Sequence, residues 1–281
     1  MKARQRARRE DPGFPRLGPE ENFPFPDPRE ADSLGIVCSG GNLSPGLLLS
    51  AYRQGIFPWF SEDEPLLWWS PDPRFVLRPE ELHVSATMRK VLRRKPWEHA
   101  LDRDFEAVIR SCSAVPRKRQ RGTWITRDMI EAYVELHRLG FAHSVEVRLE
   151  GRLVGGFYGV SLGSAFFGES MFSLEADASK AAFIPFVLYL ASQGFTLVDS
   201  QVYTEHVAGL GAAETSREFY LALLSRALEA PTSRGDWASL HPAFPRSAAY
   251  DQILASGTRG PGRDRNSGDP GEAPRKEQPS T

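Results

Sequence analysis

The stretch from Ala178 to Gln193 is apolar on nearly every side: Ala181, Ala182, Phe183, Ile184, Phe186, Val187 and Leu190 dominate it. A helix of that kind must be covered all round, yet it is shorter than the roughly 20 residues that cross a membrane. Asp177 reads as its cap and Gly194 as its stop, and Pro185 inside it predicts a kink. The neighbouring segments supply the cover. Upstream, His143, Val145, Val147 and Leu149 alternate as a strand, Glu150-Gly151 turns the chain, and Leu153 to Val160 returns as the hairpin partner. Ala165 to Gly168 reads as a further strand, and Thr196 to Val202 as the next one after the helix. Hairpin, strand, buried helix and strand together predict an α+β fold in α/β layers, one sheet backed by helices.

More helices flank this unit. Ser44-Pro45 opens one through Leu48, Leu49 and Tyr52, which Gly55 ends. Ser85 to Arg94 reads as a second. Thr126 caps a third through Met129, Tyr133 and Leu136, stopped by Gly140, and Ser216 caps a final one through Phe219, Tyr220 and Leu224. Residues 1–30 are basic and then rich in Pro and Glu, and are expected to be a disordered tail. Residues 256–281 are Gly, Pro, Ser and mixed charge; they cannot bury enough apolar surface to order and are expected to be a second tail.

Formal net charge is only −1 over 281 residues, so no global field draws the chain to nucleic acid and any such contact needs a local patch. Two cysteines, Cys38 and Cys112, give neither a disulfide framework nor a metal-ligand spacing, which fits a reducing compartment. The basic start, Met1 to Arg9, lacks the apolar stretch of a secretory signal. A cytoplasmic protein with no membrane partner and no metal is expected.

Two short runs break the apolar pattern where a buried strand is expected: Phe167-Gly168-Glu169-Ser170-Met171-Phe172-Ser173 and Leu197-Val198-Asp199-Ser200-Gln201. Strand alternation puts Leu197, Asp199 and Gln201 on one face. A carboxylate and an amide side by side on an inner strand are costly unless something binds them. They are either a structural hydrogen-bonded pair or a site. Glu169, at a strand exit, is either a surface carboxylate or a partner for a cation. No nucleophile elbow, phosphate loop or His-rich metal spacing accompanies them.

Four multi-residue runs carry a resemblance: Gly55-Ile56-Phe57-Pro58-Trp59-Phe60, Trp68-Trp69-Ser70-Pro71-Asp72-Pro73-Arg74, Gly122-Thr123-Trp124-Ile125-Thr126, and Gly168-Glu169-Ser170-Met171-Phe172-Ser173. With Asp199-Ser200-Gln201 as an Asp-x-Gln motif, they make the chain resemble the leucyl/phenylalanyl-tRNA–protein transferases from about Leu34 to Leu228. The resemblance implies a small N-terminal domain, here 31–73, and a GNAT-like (acetyltransferase-like) catalytic domain, here 74–250. It implies transfer of Leu, Phe or Met from aminoacyl-tRNA to proteins with an N-terminal Arg or Lys, marking them for N-end-rule degradation. Asn42 and Ala86 depart from the family pattern, the second in the basic helix.

The chemistry agrees with that implication. An α-amine with a pKa of roughly 8 attacks an ester already activated by its tRNA, so alignment and modest charge stabilisation suffice and no covalent intermediate is needed. By the resemblance, Asp199 orients Gln201, Gln201 contacts the attacking amine, and Glu169 lies near the donor's α-amino group. Trp59, Phe157, Phe166, Met171 and Phe186 are implied to line the aminoacyl pocket, although the last is equally readable as plain core. Tyr52, Trp124 and Tyr133 are implied to surround the terminal adenosine. Lys90, Arg93 and Arg94, with Arg89, share a helix surface suited to tRNA phosphates; a solvated charged face is the alternative. Arg117, Lys118, Arg119 and Arg121 form a second basic run before Trp124. The segment Glu169 to Lys180 lacks the glycine loop of an acetyl-CoA site, so acetyl-CoA and other cofactors are not expected. The other readings are a different acyltransferase of this fold and a non-catalytic protein that binds charged tRNA.

Overall fold

A computed structural model of the chain describes residues 13–61, 64–115 and 125–255. Among them, β1 (Ile36–Ser39), β2 (Phe57–Pro58) and β3 (Leu67–Trp69) form a small antiparallel sheet in the order β1-β3-β2. Helix α1 (Pro45–Arg53) lies between β1 and β2 in the chain. The larger sheet has seven strands: β4 (Arg74–Leu77), β5 (Glu98–Leu101), β6 (Ala142–Leu149), β7 (Arg152–Leu162), β8 (Ala165–Ser173), β9 (Leu197–Asp199) and β10 (Ala213–Thr215). Their order is β10-β4-β9-β8-β7-β6-β5. The helices that accompany it are α2 (Ala86–Arg94), α3 (Phe105–Ala114), α4 (Arg127–Arg138), α5 (Ala178–Ser192), α6 (Glu205–Ala208), α7 (Arg217–Ala227), α8 (Trp237–Leu240) and α9 (Ala248–Ala255).

Strand alternation divides the interior into two cores, one on each face of the large sheet. Tyr158, Val160 and Phe167 face a core shared with α1, α3, α4 and α7, and this core also takes in Trp68 of the small sheet. Val145, Val147, Phe157 and Phe166 face the other, shared with α2, α5, α8 and α9. Helix α5, apolar all round, is covered by the sheet on one side and by α9 on another. It approaches β7 closely because Gly155 has no side chain: a Cβ there would stand 2.6 Å from Ala178 Cβ.

Helix α5 also explains the one parallel pairing. All other neighbours in the large sheet are antiparallel, while β8 and β9, joined through α5, run parallel.

Several local expectations change. Asp177, expected to cap α5, precedes it at φ 69° with no side-chain capping bond. Ser44 Oγ, expected to cap α1, accepts instead from Leu17 N–H at 3.0 Å. Ser85, Thr126 and Ser216 do cap α2, α4 and α7, each accepting from the N–H three residues on. The helix after Ser216 is followed by α8 and α9, so it is not the last.

Residues 13–30 are packed, contrary to the loose tail expected of them. Phe14, Phe23 and Phe25 pack on one another, and Phe25 packs on Trp68. The backbone N–H groups of Phe23 and Phe25 are bound by Ser50 Oγ and Gln54 Oε1 of the α1 segment. Composition hid this because the prolines and glutamates outweigh three aromatic anchors. The rest of that tail, 1–12, and all of 256–281 lie outside the described residues.

Candidate active site

The two polar runs meet where β8 and β9 part. Their pairing ends at Phe167↔Asp199. Beyond it β8 continues to Ser173, while the other chain turns at Ser200 and Gln201, the latter at φ 63°. Gln201 is therefore not the third residue of one strand face, as alternation predicted. It follows the strand end in a left-handed conformation, held by its N–H donating to Asp199 Oδ1 at 2.9 Å. Glu169 sits at a β-bulge: Tyr158 pairs with Ser170 and Gly159 with Gly168, leaving Glu169 without a partner on β7. A bulge of this kind re-aims the side chain.

Re-aimed, Glu169 meets three groups. Gln201 Nε2 donates to its Oε1 at 2.7 Å, Tyr52 Oη lies 2.7 Å from the same oxygen, and Tyr133 Oη lies 3.0 Å from Oε2. The two tyrosine hydroxyls also contact each other. Burial pushes the Glu169 carboxyl up to about 7, against the pull of these three neighbours, with nearby Asp199 adding to the rise. Burial first, then the carboxylate, holds both tyrosine hydroxyls well above their usual range.

Asp199 is held differently. Arg74 Nε donates to Oδ1 at 2.9 Å and Nη2 to Oδ2 at 2.6 Å, and Tyr220 Oη donates to Oδ2 at 2.8 Å. With Gln201 N–H, these fill the carboxylate. The Arg74 guanidinium is buried, which works against its charge, but Asp199, with Tyr220 and Glu169, more than offsets this and its pKa is raised. It lies over the rings of Phe57 and Tyr220 at 4.8 and 4.4 Å, within cation–π range. Its Nη1 donates to Gly55 O at 3.2 Å. Gly55 allows this approach at φ 76°, where a Cβ would strike Leu221 Cδ2 at 2.6 Å. Neither Arg74 nor Tyr220 was singled out from sequence, although an Arg opening the apolar run Phe75-Val76-Leu77 was a usable signal: buried, it needs an acid.

Two cavities open from this point. The larger, of about 380 Å³, is walled by Val115, Phe157, Met171, Phe172, Phe183 and Val207, with Glu169, Ser179, Thr204 and His206 among its polar lining. The smaller, of about 130 Å³, lies between Phe57, Pro58 and Trp59 on one side and Gln201 and Val202 on the other. Gly168, Glu169, Ser200 and Thr204 line both.

The expected lining is thus divided. Phe157 and Met171 line the larger cavity and Trp59 the smaller one. Phe166 and Phe186 do not reach either; they are fully buried and pack edge-on behind Phe157. Val115, Phe183 and Val207 take their places. Tyr52 and Tyr133 have no exposed ring face on which a base could stack, since both are fully buried. They act through their hydroxyls on Glu169. Trp124 and the basic run Arg117, Lys118, Arg119 and Arg121 lie outside the described residues.

The basic helix is α2. Lys90 and Arg94 are exposed, and half-buried Arg93 donates to Ile253 O at 3.2 Å. The next residue, Lys95, donates to Ala176 O at 3.3 Å, which ties this end of α2 to the loop after Ser173 at the cavity rim.

The family model described as leucyl/phenylalanyl-tRNA protein transferase matches residues 76–225, and that of the family's N-terminal domain matches 41–72. The chain belongs to this family. It is 55% identical over 213 residues to the leucyl/phenylalanyl-tRNA–protein transferase of Myxococcus xanthus, covering 76% of this chain and 91% of that one. It is equally similar, over 218 residues, to that of Syntrophus aciditrophicus, covering 78% and 91%. Among solved structures, L-PGS from Bacillus licheniformis aligns with a TM-score of 0.36 at 11% identity, over 56% of this chain and 65% of that one. The family is one of aminoacyltransferases, and this chain is an enzyme of that class. Among the described residues, no group of three or more His, Cys, Asp or Glu is placed to hold a metal, and no helix is long and apolar enough to cross a membrane.

Proposed function

We propose that this enzyme transfers Leu, Phe or Met from aminoacyl-tRNA to the N-terminal α-amine of proteins beginning with Lys or Arg, marking them for N-end-rule degradation. The observation that carries the reading is the larger cavity: mostly apolar walls with room for a Leu, Phe or Met side chain, and Glu169 at the point where it meets a second cavity that Gln201 lines. In this reading the donor side chain fills the larger cavity and its α-ammonium pairs with Glu169. Gln201, its amide nitrogen already committed to Glu169, offers its carbonyl oxygen to an N–H of the attacking amine. Asp199 and Arg74 are positioning residues behind it.

The amine lone pair attacks the ester carbonyl carbon, the bond to the ribose oxygen breaks, and that oxygen leaves with a proton. Since an ester is already activated, alignment is the main task, and no acyl-enzyme is formed. The domain division at 31–73 and 74–250 and the GNAT-like architecture belong to the same reading. The division is supported by the separate three-stranded sheet, which ends at Trp69 before the large sheet begins at Arg74, and the architecture by the parallel β8–β9 pair that opens at Asp199. A donor other than acetyl-CoA is supported by the β8–α5 connection, Leu174-Glu175-Ala176-Asp177, which holds no glycine for a phosphate loop. Lys90, Arg93 and Arg94 are assigned to tRNA phosphates.

The test is transfer of labelled Phe or Leu from charged tRNA to peptides starting with Arg, Lys, Asp or Ala. Labelling of the Arg and Lys peptides alone is expected. No labelling with the donor intact, or labelling of the Asp peptide instead, overturns the reading.

A further inference from the structure

Three oxygen contacts close a triangle beside the larger cavity: Tyr52 Oη with Tyr133 Oη, Tyr52 Oη with Glu169 Oε1, and Tyr133 Oη with Glu169 Oε2. Each contact between two oxygens needs one proton. The two phenols bring two. If Glu169 is ionised, one side of the triangle is oxygen against oxygen with nothing between, inside a buried site where an unmade hydrogen bond is costly. A third proton, on Glu169, completes the ring.

Gln201 decides which oxygen carries it. Oε1 already accepts from Gln201 Nε2 and lies within reach of Tyr52, so it is the carbonyl oxygen and Oε2 bears the proton. The ring then runs in one direction. Glu169 Oε2–H donates to Tyr133 Oη, Tyr133 Oη–H to Tyr52 Oη, and Tyr52 Oη–H to Glu169 Oε1. Each phenol hydroxyl gives one bond and receives one, and the carboxyl gives through Oε2 and receives at Oε1.

We propose that the resting enzyme stores a proton on Glu169 Oε2 in this ring, and that the cationic α-amine of the donor displaces it on binding. The second half rests on the donor reading given above. The step balances simply. The Glu169 O–H bond breaks, the proton leaves to solvent, the carboxylate pairs with the ammonium, and Tyr133 turns its proton from Tyr52 Oη onto Oε2, the new ion pair offsetting the Tyr52–Tyr133 contact left without a proton. The ring thus makes entry conditional on a free α-amine: an N-acylated or α-hydroxy donor carries no cation to replace the proton.

The surroundings agree. Burial, the largest influence on Glu169, favours its neutral form, and Asp199 acts in the same direction. The buried Arg74 guanidinium, whose charge reaches Glu169, is committed to Asp199 and Tyr220. Tyr158 packs against Tyr133, and His206, whose pKa burial and Lys180 lower, lines the same cavity.

Infrared difference spectroscopy tests the ring on the whole protein. At about pH 6, below the α-amine range, wild type minus Glu169→Gln should show the carbonyl band of a protonated carboxyl. Should the variant not fold, wild type at low minus high pH gives the band together with that of buried Glu146, from which the Tyr52→Phe shift tells it apart. Tyr52→Phe, which removes the donor to Oε1, should move it to higher frequency. Absence of the band, or no shift in Tyr52→Phe, overturns the stored proton. Saturation with amide-linked phenylalanyl-adenosine should abolish the band and release close to one proton, read by calorimetry in two buffers of different ionisation enthalpy. The α-hydroxy counterpart should do neither. A band that survives the bound amine analogue, with no proton released, overturns displacement. Failure of the analogue to bind overturns the donor reading, and displacement with it, while the band still decides the ring.

Discussion

Arg74 and Asp199 form a buried two-point ion pair, Nε to Oδ1 and Nη2 to Oδ2, that joins β4 to β9 beneath the reacting groups. Because Tyr220 and the Gln201 N–H fill the rest of the carboxylate, Asp199 is in no position to take a proton from an amine. In the proposed mechanism its influence passes through the place it gives Gln201. Asp199→Ala leaves Arg74 charged and buried, which is expected to cost about 3–5 kcal/mol, seen as a lower urea midpoint. The double variant Arg74→Met/Asp199→Leu removes both charges and should recover most of that stability without recovering transfer. A double variant that transfers at the wild-type rate would remove the pair from the mechanism.

Gln201 bridges the two carboxylates, its backbone N–H on Asp199 and its Nε2 on Glu169. Gln201→Ala keeps neither its bond to Glu169 nor an oxygen for the attacking amine. Loss of one donor or acceptor aimed at reacting atoms is worth about 10²–10³ in kcat. Single-turnover transfer from Phe-tRNA to an Arg peptide should fall by that factor, with donor affinity changed much less. Equal losses in both would make Gln201 a binding group only.

Much of this site was legible from the chain because buried strands tolerate few polar residues. Glu169, Asp199 and Gln201 stood out for that reason, and the hairpin of β6 and β7 and the apolar α5 framed them. What stayed hidden depends on long-range pairing. Arg74 reads as part of a Pro-rich loop until its partner, 125 residues away, is known. The bulge at Glu169 and the left-handed turn at Gln201 leave no mark in hydrophobic alternation. Tyr52 and Tyr133 lie on different helices, and only their meeting at one carboxylate gives their hydroxyls a task. Phe166 and Phe186 illustrate the converse: a large apolar residue near a pocket looks the same in sequence whether it lines the wall or stands behind it.

In the proposed reading the walls of the larger cavity set donor choice. Val207 lines it and is buried, so Val207→Phe fills space that a phenylalanyl side chain would need more than a leucyl one. A size mismatch of this order is worth about 1–3 kcal/mol. The ratio of kcat/KM for Phe-tRNA over Leu-tRNA should therefore drop roughly 10-fold or more. A ratio that stays constant would locate the donor side chain elsewhere.

Helix α2 offers the electrostatic test. Lys90 and Arg94 are exposed, so Lys90→Ala and Arg94→Ala should leave the urea midpoint unchanged. In the proposed reading each substitution takes one cation away from the tRNA phosphates. It should weaken tRNA binding and lower the slope of log affinity against log salt by about 0.7–0.9. Arg93→Ala differs, because Arg93 also holds α9 through Ile253 O; a lower midpoint is expected as well. An unchanged salt slope in the Lys90 and Arg94 variants would make α2 merely a solvated face.

Glu169 also imposes a pH dependence on stability. Its carboxyl is pushed up to about 7 in the folded protein, against roughly 4.3 in an unfolded chain. Between those values the folded state holds the extra proton, so the stability contribution falls as pH rises and is lowest above the folded value. Glu169→Gln removes this dependence while keeping a neutral group of the same shape. The variant should thus gain stability relative to wild type as pH rises from about 4 to 8, by up to about 3 kcal/mol. Buried His143 and His99, both with lowered pKa values through burial, act in the opposite direction at acid pH. They are common to both proteins and cancel in the difference. Urea midpoints of the two proteins measured across that range decide it: parallel curves would mean that the Glu169 carboxyl titrates in the folded protein as it does in the unfolded chain, the hydrogen bonds from its neighbours fully offsetting burial.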